Sequence, residues 1–166
     1  MLGFRPLAIP SANAEKSGRG RMQRLGIEHL SVSGLSPIEH VHLAADLGCD
    51  CISILLYGED ESHSPYNVLR HDRALRADML AVMRDRSVSI SMGEGCLVSP
   101  GVDMRDFASN MDVMRDLGAE QLNTMSLDPD QGRALDQFAI FAEMAAERGM
   151  TSTIEFCPAL PVNSLD

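Results

Sequence analysis

Four polar side chains stand where chemistry could be done: Glu155 in TSTIEF, Glu94 in MGEGCLVSPG, His29 in GIEHLSV and Asn123 in QLNTMSL. Glu155 closes a β-branched run. A carboxylate buried there without a partner shifts its pKa or needs a cation. Metal ligation supplies one solution, an ion pair with Arg or Lys another. Glu94 lies between Gly93 and Gly95, in a G-x-G that lacks the third glycine and the opening helix of a dinucleotide-binding fingerprint. It belongs either to a flexible loop or to a site, as a proton-transfer or hydroxyl-binding group that the glycines let a substrate approach. His29 titrates near neutrality and could move a proton; a satisfied core histidine is the other reading. Asn123 could hydrogen-bond a substrate hydroxyl or serve as a structural amide.

Other candidates carry less. Asp60, Glu61, His63 and His71 fall in YGEDESHSPYNVLRHDRALR without ligand spacing on a regular element, which reads as a solvated loop able to cover a nearby mouth. Cys49, Cys51, Cys96 and Cys157 match neither a paired zinc framework nor a small disulfide scaffold. They read as buried structural thiols, in keeping with a reducing, cytoplasmic setting.

One phrase positions these residues. An amphipathic stretch, a stop and a β-rich run recur at Gly48, Ser87, Gly118 and Gly149. The interval is roughly that of successive strand–helix units in a parallel sheet, about 30 residues. Helix starts are marked too. Ser36, Pro37 and Glu39 form a capping box with proline at the first helical position, and Asp103 is set to cap the third helix. The buried sides predicted from the spacing are Ile38, Val41, Leu43, Ala45 and Leu47; Leu75, Met79, Leu80 and Met83; Phe107, Met111, Met114 and Leu117; and Leu135, Phe138, Ala142 and Met144 or Ala145.

The predicted strands cover 26–32, 51–57, 88–93, 121–127 and 151–156. Five strands alternating with four helices argue for an α/β fold with parallel strands. Each strand carries polar residues well inside it. Thr151, Thr153 and Glu155 share one face of the fifth; His29 shares a face of the first with Ile27 and Ser31, opposite Glu28, Leu30 and Val32. A doubly wound sheet buries both faces and reads as nearly continuous Val, Ile and Leu. Polar groups aimed at one shared interior suit part of a (β/α)8 TIM barrel better.

Composition sets outer bounds. The 166 residues are 45% hydrophobic and 23% charged, with eleven Met and no Trp, which fits one soluble domain with a Met-rich core. A formal charge of −10 leaves no basic face for nucleic acid. No apolar run reaches the ~18 residues that would span a membrane. Residues 1–21 lack helical or strand period and read as a disordered extension outside the 22–166 domain.

Four segments together, LGIEHLSVSGLSPIEHVHLAADLGCDCISI, SMGEGCLVSPG, MRDLGAEQLNTMSLDPD and GMTSTIEFCPALPVNSL, resemble the sugar phosphate isomerase/epimerase family, whose members have the xylose isomerase-like TIM barrel. The resemblance implies the N-terminal part of such a barrel. It also implies a divalent metal (Mn, Mg, Zn or Co) at the barrel mouth, held by a Glu on strand five, an Asp on strand six, a His on strand seven and a Glu on strand eight. Only the first maps here, onto Glu155. The implied chemistry is isomerisation, epimerisation or a related elimination of a small sugar or polyol in carbohydrate metabolism. Glu155 and Glu94 are the catalytic candidates, His29 and Asn123 the substrate-binding ones. One carboxylate does not fix a divalent ion, so little turnover is expected of this chain alone. The alternatives are a non-catalytic part-barrel that self-assembles, or an inactive fragment. Two open sheet edges favour a homo-oligomer.

Overall fold

The structure, a computed structural model, describes residues 24–58 and 62–163. The expected extension over 1–21, and Asp60 and Glu61 of the polar loop, lie outside the described residues.

Local signals in the chain divide it as their chemistry dictates. Helix α1 (Pro37–Asp46) begins at the Ser36–Glu39 capping box, with Glu39 Oε2 accepting from Ser36 N at 2.9 Å. Helix α2 (Arg73–Arg86) is capped by Asp72, and α4 (Gln131–Glu147) by Asp130. Asp103 caps a 3-10 turn, Met104–Phe107, that leads into α3 (Ala108–Asp116). The four stops carry left-handed backbone: φ is 76° at Gly48, 81° at Gly118, 75° at Gly149 and 57° at Ser87, the one described non-glycine residue there.

Strands β1 (Gly26–Ile27), β2 (Cys51–Leu55), β3 (Ser89–Glu94), β4 (Gln121–Thr124) and β5 (Thr151–Ile154) form one sheet in chain order, every neighbouring pair parallel. Adjacent parallel strands joined by helices, with no strand out of order, are the pattern of a barrel wall. The pairing of β2 with β3 steps from Ile52↔Ile90 to Ser53↔Met92. Ser91 is the extra residue of this bulge and donates its hydroxyl to Ile52 O at 3.2 Å.

The two faces differ. Ile52, Ile54, Ile90 and Leu122 face the helices and are fully buried among Val41, Ala44, Met79, Met111, Met114 and Phe141. The opposite face carries Met92, Gln121, Asn123 and Thr153, all half-buried. Among the described residues, no helix is long and apolar enough to cross a membrane.

Several sequence expectations are corrected. The first strand stops at Ile27, and His29–Val32 form a 3-10 turn. Glu28 causes the change: its Oε2 accepts from Leu30 N at 2.9 Å, so a side chain replaces the ladder partner. The second, fourth and fifth strands also end two or three residues early, and β3 runs one residue further, to Glu94. Leu47 is 61% and Leu135 68% exposed, whereas Ala44 and Phe141 are completely buried. The polar stretch after β2 is not simply a solvated loop. Pro65–Arg70 form a 3-10 turn that buries Tyr66, Asn67 and Leu69. All four cysteines are free, and Cys157 is only half-buried.

Candidate active site at the strand ends

The polar face of the sheet is organised from β5 inward. Gln121 Nε2 donates to Thr153 Oγ1 at 2.9 Å, and Thr153 Oγ1 donates to Asn123 Oδ1 at 2.9 Å. This fixes the Asn123 amide with Nδ2 turned toward the strand end, where it donates to Glu155 Oε2 at 3.4 Å. Glu155 itself lies one residue past β5, its backbone N–H still bonded to Thr124 O at 2.8 Å. Its side chain is exposed and makes no ion pair with Arg or Lys among the described residues, so that alternative is not realised.

A second group forms where β1 turns and β3 ends. His29 Nδ1 stands 2.6 Å from Glu28 Oε1 and 3.6 Å from Glu94 Oε1. Ser53 on β2 holds the imidazole: its Oγ accepts from His29 N at 3.1 Å and lies 3.1 Å from Nδ1. The His29 side chain is 7% exposed, Glu94 15% and Glu28 40%. Glu28 Oε1, Glu94 Oε1 and His29 Nε2 are buried atoms with no hydrogen-bond partner among the described residues. One potential ligand atom from each residue falls within 4.8 Å of the other two. Glu155 is outside this group.

The electrostatics follow from the packing. Burial, then the charges of Glu28 and Glu155, push the Glu94 carboxyl up to about 7, against a hydrogen bond with Ser53. Burial lowers the His29 pKa, while the Glu28 carboxylate opposes the change. His40 on α1 is fully buried behind this group, with Nδ1 hydrogen-bonded to the Tyr66 hydroxyl. Its pKa falls through burial and the neighbouring His29.

The glycines beside Glu94 serve the fold. Gly95 has φ 111°, and a Cβ there would lie 2.1 Å from Leu56 O. A Cβ on Gly93 would meet Met114 Sδ of α3 at 2.6 Å. Both close approaches are to the protein's own backbone and helix, and they aim Glu94 rather than admit a ligand.

His29, Glu94 and Asn123 line one cavity of about 200 Å³, with Leu30, Leu55, Tyr57, Gly95, Leu97, Thr124 and Met125. Three of the four sequence candidates therefore share a cavity wall. The fourth, Glu155, touches Asn123 and contributes to the charge felt by Glu94. Glu28 was missed by sequence reasoning. Its signal was local: a carboxylate two residues before Leu30 N, able to cap a turn.

No protein-family profile matches the sequence, and no curated protein matches it. Solved structures do match. The IolI protein with a bound zinc atom aligns with a TM-score of 0.67 and 15% identity, over 85% of this chain and 55% of its own. A xylose isomerase-like TIM barrel protein from Mycobacterium smegmatis in complex with magnesium gives 0.59 and 15%, over 85% and 57%. A sugar phosphate isomerase/epimerase from Parabacteroides distasonis gives 0.57 and 16%, over 88% and 55%. The chain spans about half the length of each of these three. Its five parallel strands and four helices have the fold of roughly one half of a xylose isomerase-like TIM barrel.

Proposed function

We propose that this chain supplies the proton-transfer side of a sugar isomerase or epimerase site in a xylose isomerase-like barrel. The observation that carries this reading is Glu94, a carboxyl raised to about 7 at the end of a parallel strand and facing a cavity. A group poised near neutrality can both take and return a proton. A carbonyl acidifies the C–H on the adjacent carbon of a sugar. In an isomerase Glu94 removes that proton and returns it to the neighbouring carbon while the hydroxyl proton passes to the carbonyl oxygen; in an epimerase Glu94 removes it and a second acid on the opposite face must supply the new one. Asn123 has one Nδ2 hydrogen left after its bond to Glu155 and offers it to a substrate hydroxyl. The half-buried Leu55, Leu97 and Met125 side chains limit water around the reacting carbon.

A divalent cation at the mouth, held through Glu155 and ligands from other strands, would polarise the carbonyl–hydroxyl pair of the substrate. Glu155 fits such a role as an exposed carboxylate steadied by Asn123, and the described residues supply only that one ligand there.

The test is deuterium wash-in. The chain is incubated in D2O with a panel of aldoses, ketoses and cyclic polyol ketones, in chelator and again with Mn²⁺, and exchange at the carbon next to the carbonyl is followed by NMR. Slow exchange is expected, reduced by a factor of about 10² or more in Glu94→Gln. Exchange that is equal in the variant would remove Glu94 from the reaction.

A second reading rests on the open edges at β1 and β5 and the half-buried polar face between them. A part-barrel with these features pairs with another copy. Sedimentation velocity tests this: a dimer supports assembly, and a monomer at high micromolar concentration counts against it.

A further inference from the structure

We propose that Glu28, His29 and Glu94 form a divalent-cation site of their own, separate from the mouth carboxylate Glu155. This goes beyond the proton-transfer reading and needs no substrate. At a metal–ligand length of about 2.1 Å, neighbouring donors on one ion lie about 3.0 Å apart and opposite donors about 4.2 Å. The observed separations from His29 Nδ1, 2.6 Å to Glu28 Oε1 and 3.6 Å to Glu94 Oε1, bracket the closer value. Only the half-exposed Glu28 carboxylate has to draw back, by a few tenths of an ångström, to admit an ion.

The second observation is the state of the donor atoms. Glu94 Oε1 is buried with no hydrogen-bond partner among the described residues, and Glu28 Oε1, buried too, has only the imidazole Nδ1 at 2.6 Å for company. They converge on an imidazole that is itself more than nine-tenths buried. Among the described residues, no Lys or Arg is hydrogen-bonded to or paired with any of the three. A buried carboxylate oxygen without a donor is costly, and a bound cation would satisfy Glu94 Oε1 while sharing Glu28 Oε1 with the imidazole.

The frame is already set. Glu28 Oε2 is occupied by Leu30 N, which leaves Oε1 for an ion. His29 is held through its backbone N–H by Ser53. Glu94 is fixed by the β2–β3 pairing, with its carbonyl accepting from Leu56 N at 3.0 Å. It enters through one oxygen as the deprotonated carboxylate, so the ion-bound and the proton-carrying states of Glu94 exclude each other. One nitrogen and two carboxylate oxygens suit Mn²⁺ or Zn²⁺ better than the all-oxygen shells of Ca²⁺. Water would complete the coordination from the half-exposed Glu28 side.

Titration of the metal-free chain with Mn²⁺, read by calorimetry and by electron paramagnetic resonance, tests the assignment. One ion per chain is expected, with nitrogen modulation from the imidazole. Glu155→Gln, which removes only a nearby charge, should keep one ion per chain and the nitrogen modulation, with affinity falling less than in the ligand variants. Glu28→Gln and Glu94→Gln should each weaken it at least roughly tenfold, with far-UV circular dichroism confirming that both variants fold. Because Glu28 is half-exposed, its variant keeps the test usable if Glu94→Gln or a His29 variant fails to fold. Loss of binding in Glu155→Gln with retention in Glu28→Gln would place the ion at the mouth and overturn the assignment. Absence of Mn²⁺ binding by the native chain would overturn it too. Failure of deuterium wash-in leaves this result unaffected, so the two readings fail separately.

Discussion

Replacing Glu94 by glutamine should make the protein more stable at alkaline pH and leave it unchanged in acid. The folded carboxyl is raised from 4.5 to about 7, chiefly by burial and then by Glu28 and Glu155. Between those values the folded chain holds a proton that the unfolded chain has lost. Stability is therefore fully present below about pH 4.5 and declines as pH rises through about 7. Ionising a carboxyl raised this far costs about 3 kcal/mol. With the side chain 15% exposed, little of that is lost to solvent screening. Glutamine has nearly the same shape and no charge, so the variant escapes the cost. Urea melts of both proteins at pH 4.5, 6, 7 and 8, with a chelator present, give the difference directly. His29 and His40 have lowered pKa values, whose stabilisation is present above the unfolded value and lost on acidification. That opposing slope lies on the acid side, so the comparison is decided at pH 8, where both histidines are neutral. The variant should match the native chain at pH 4.5 and exceed it by about 2–3 kcal/mol at pH 8. A gap that stays constant across the range would show that Glu94 titrates normally, and the proton-transfer reading would lose its carrier.

Three further outcomes are expected. Phe141→Ala should cost about 3–5 kcal/mol in a denaturant melt, because the ring is completely buried; Leu135→Ala, 68% exposed, should change stability by less than about 0.5 kcal/mol. Gly95→Ala should destabilise by at least about 2 kcal/mol, since it combines φ 111° with a Cβ 2.1 Å from a backbone oxygen. It should also lose Mn²⁺, as Glu94 is displaced, whereas Gly101→Ala, with φ 77° but open space around it, should keep the ion. Tyr66→Phe should cost about 1 kcal/mol, by leaving buried His40 Nδ1 without its partner.

The architecture was legible because it is written in repeated local chemistry. A capping box at Ser36, left-handed stops at Gly48, Gly118 and Gly149, and the β-branched run Thr151–Ile154 each have a short-range physical cause. What escaped was set by tertiary choice. Leu135 and Phe141 both fit an apolar stripe on α4, and only packing against the sheet decided that Phe141 goes in. Tyr66 and Leu69 carry no helical or strand period, so their burial beneath a 3-10 turn left no pattern to read.

The site shows the same division more sharply. Asn123, Thr153 and Glu155 converge because strand parity puts them on one face, and parity can be counted. The same counting set Glu28 and His29 on opposite faces of the first strand, which would keep them apart. They meet because Glu28 gives one carboxylate oxygen to Leu30 N, and this turns the chain out of the strand. The other oxygen is thereby brought to the imidazole. The single bond that shortens β1 to two residues is also the one that assembles the cluster. A residue whose side chain competes with the ladder is thus the position where alternation stops predicting neighbours. In this chain that position is where two carboxylates and a histidine come together.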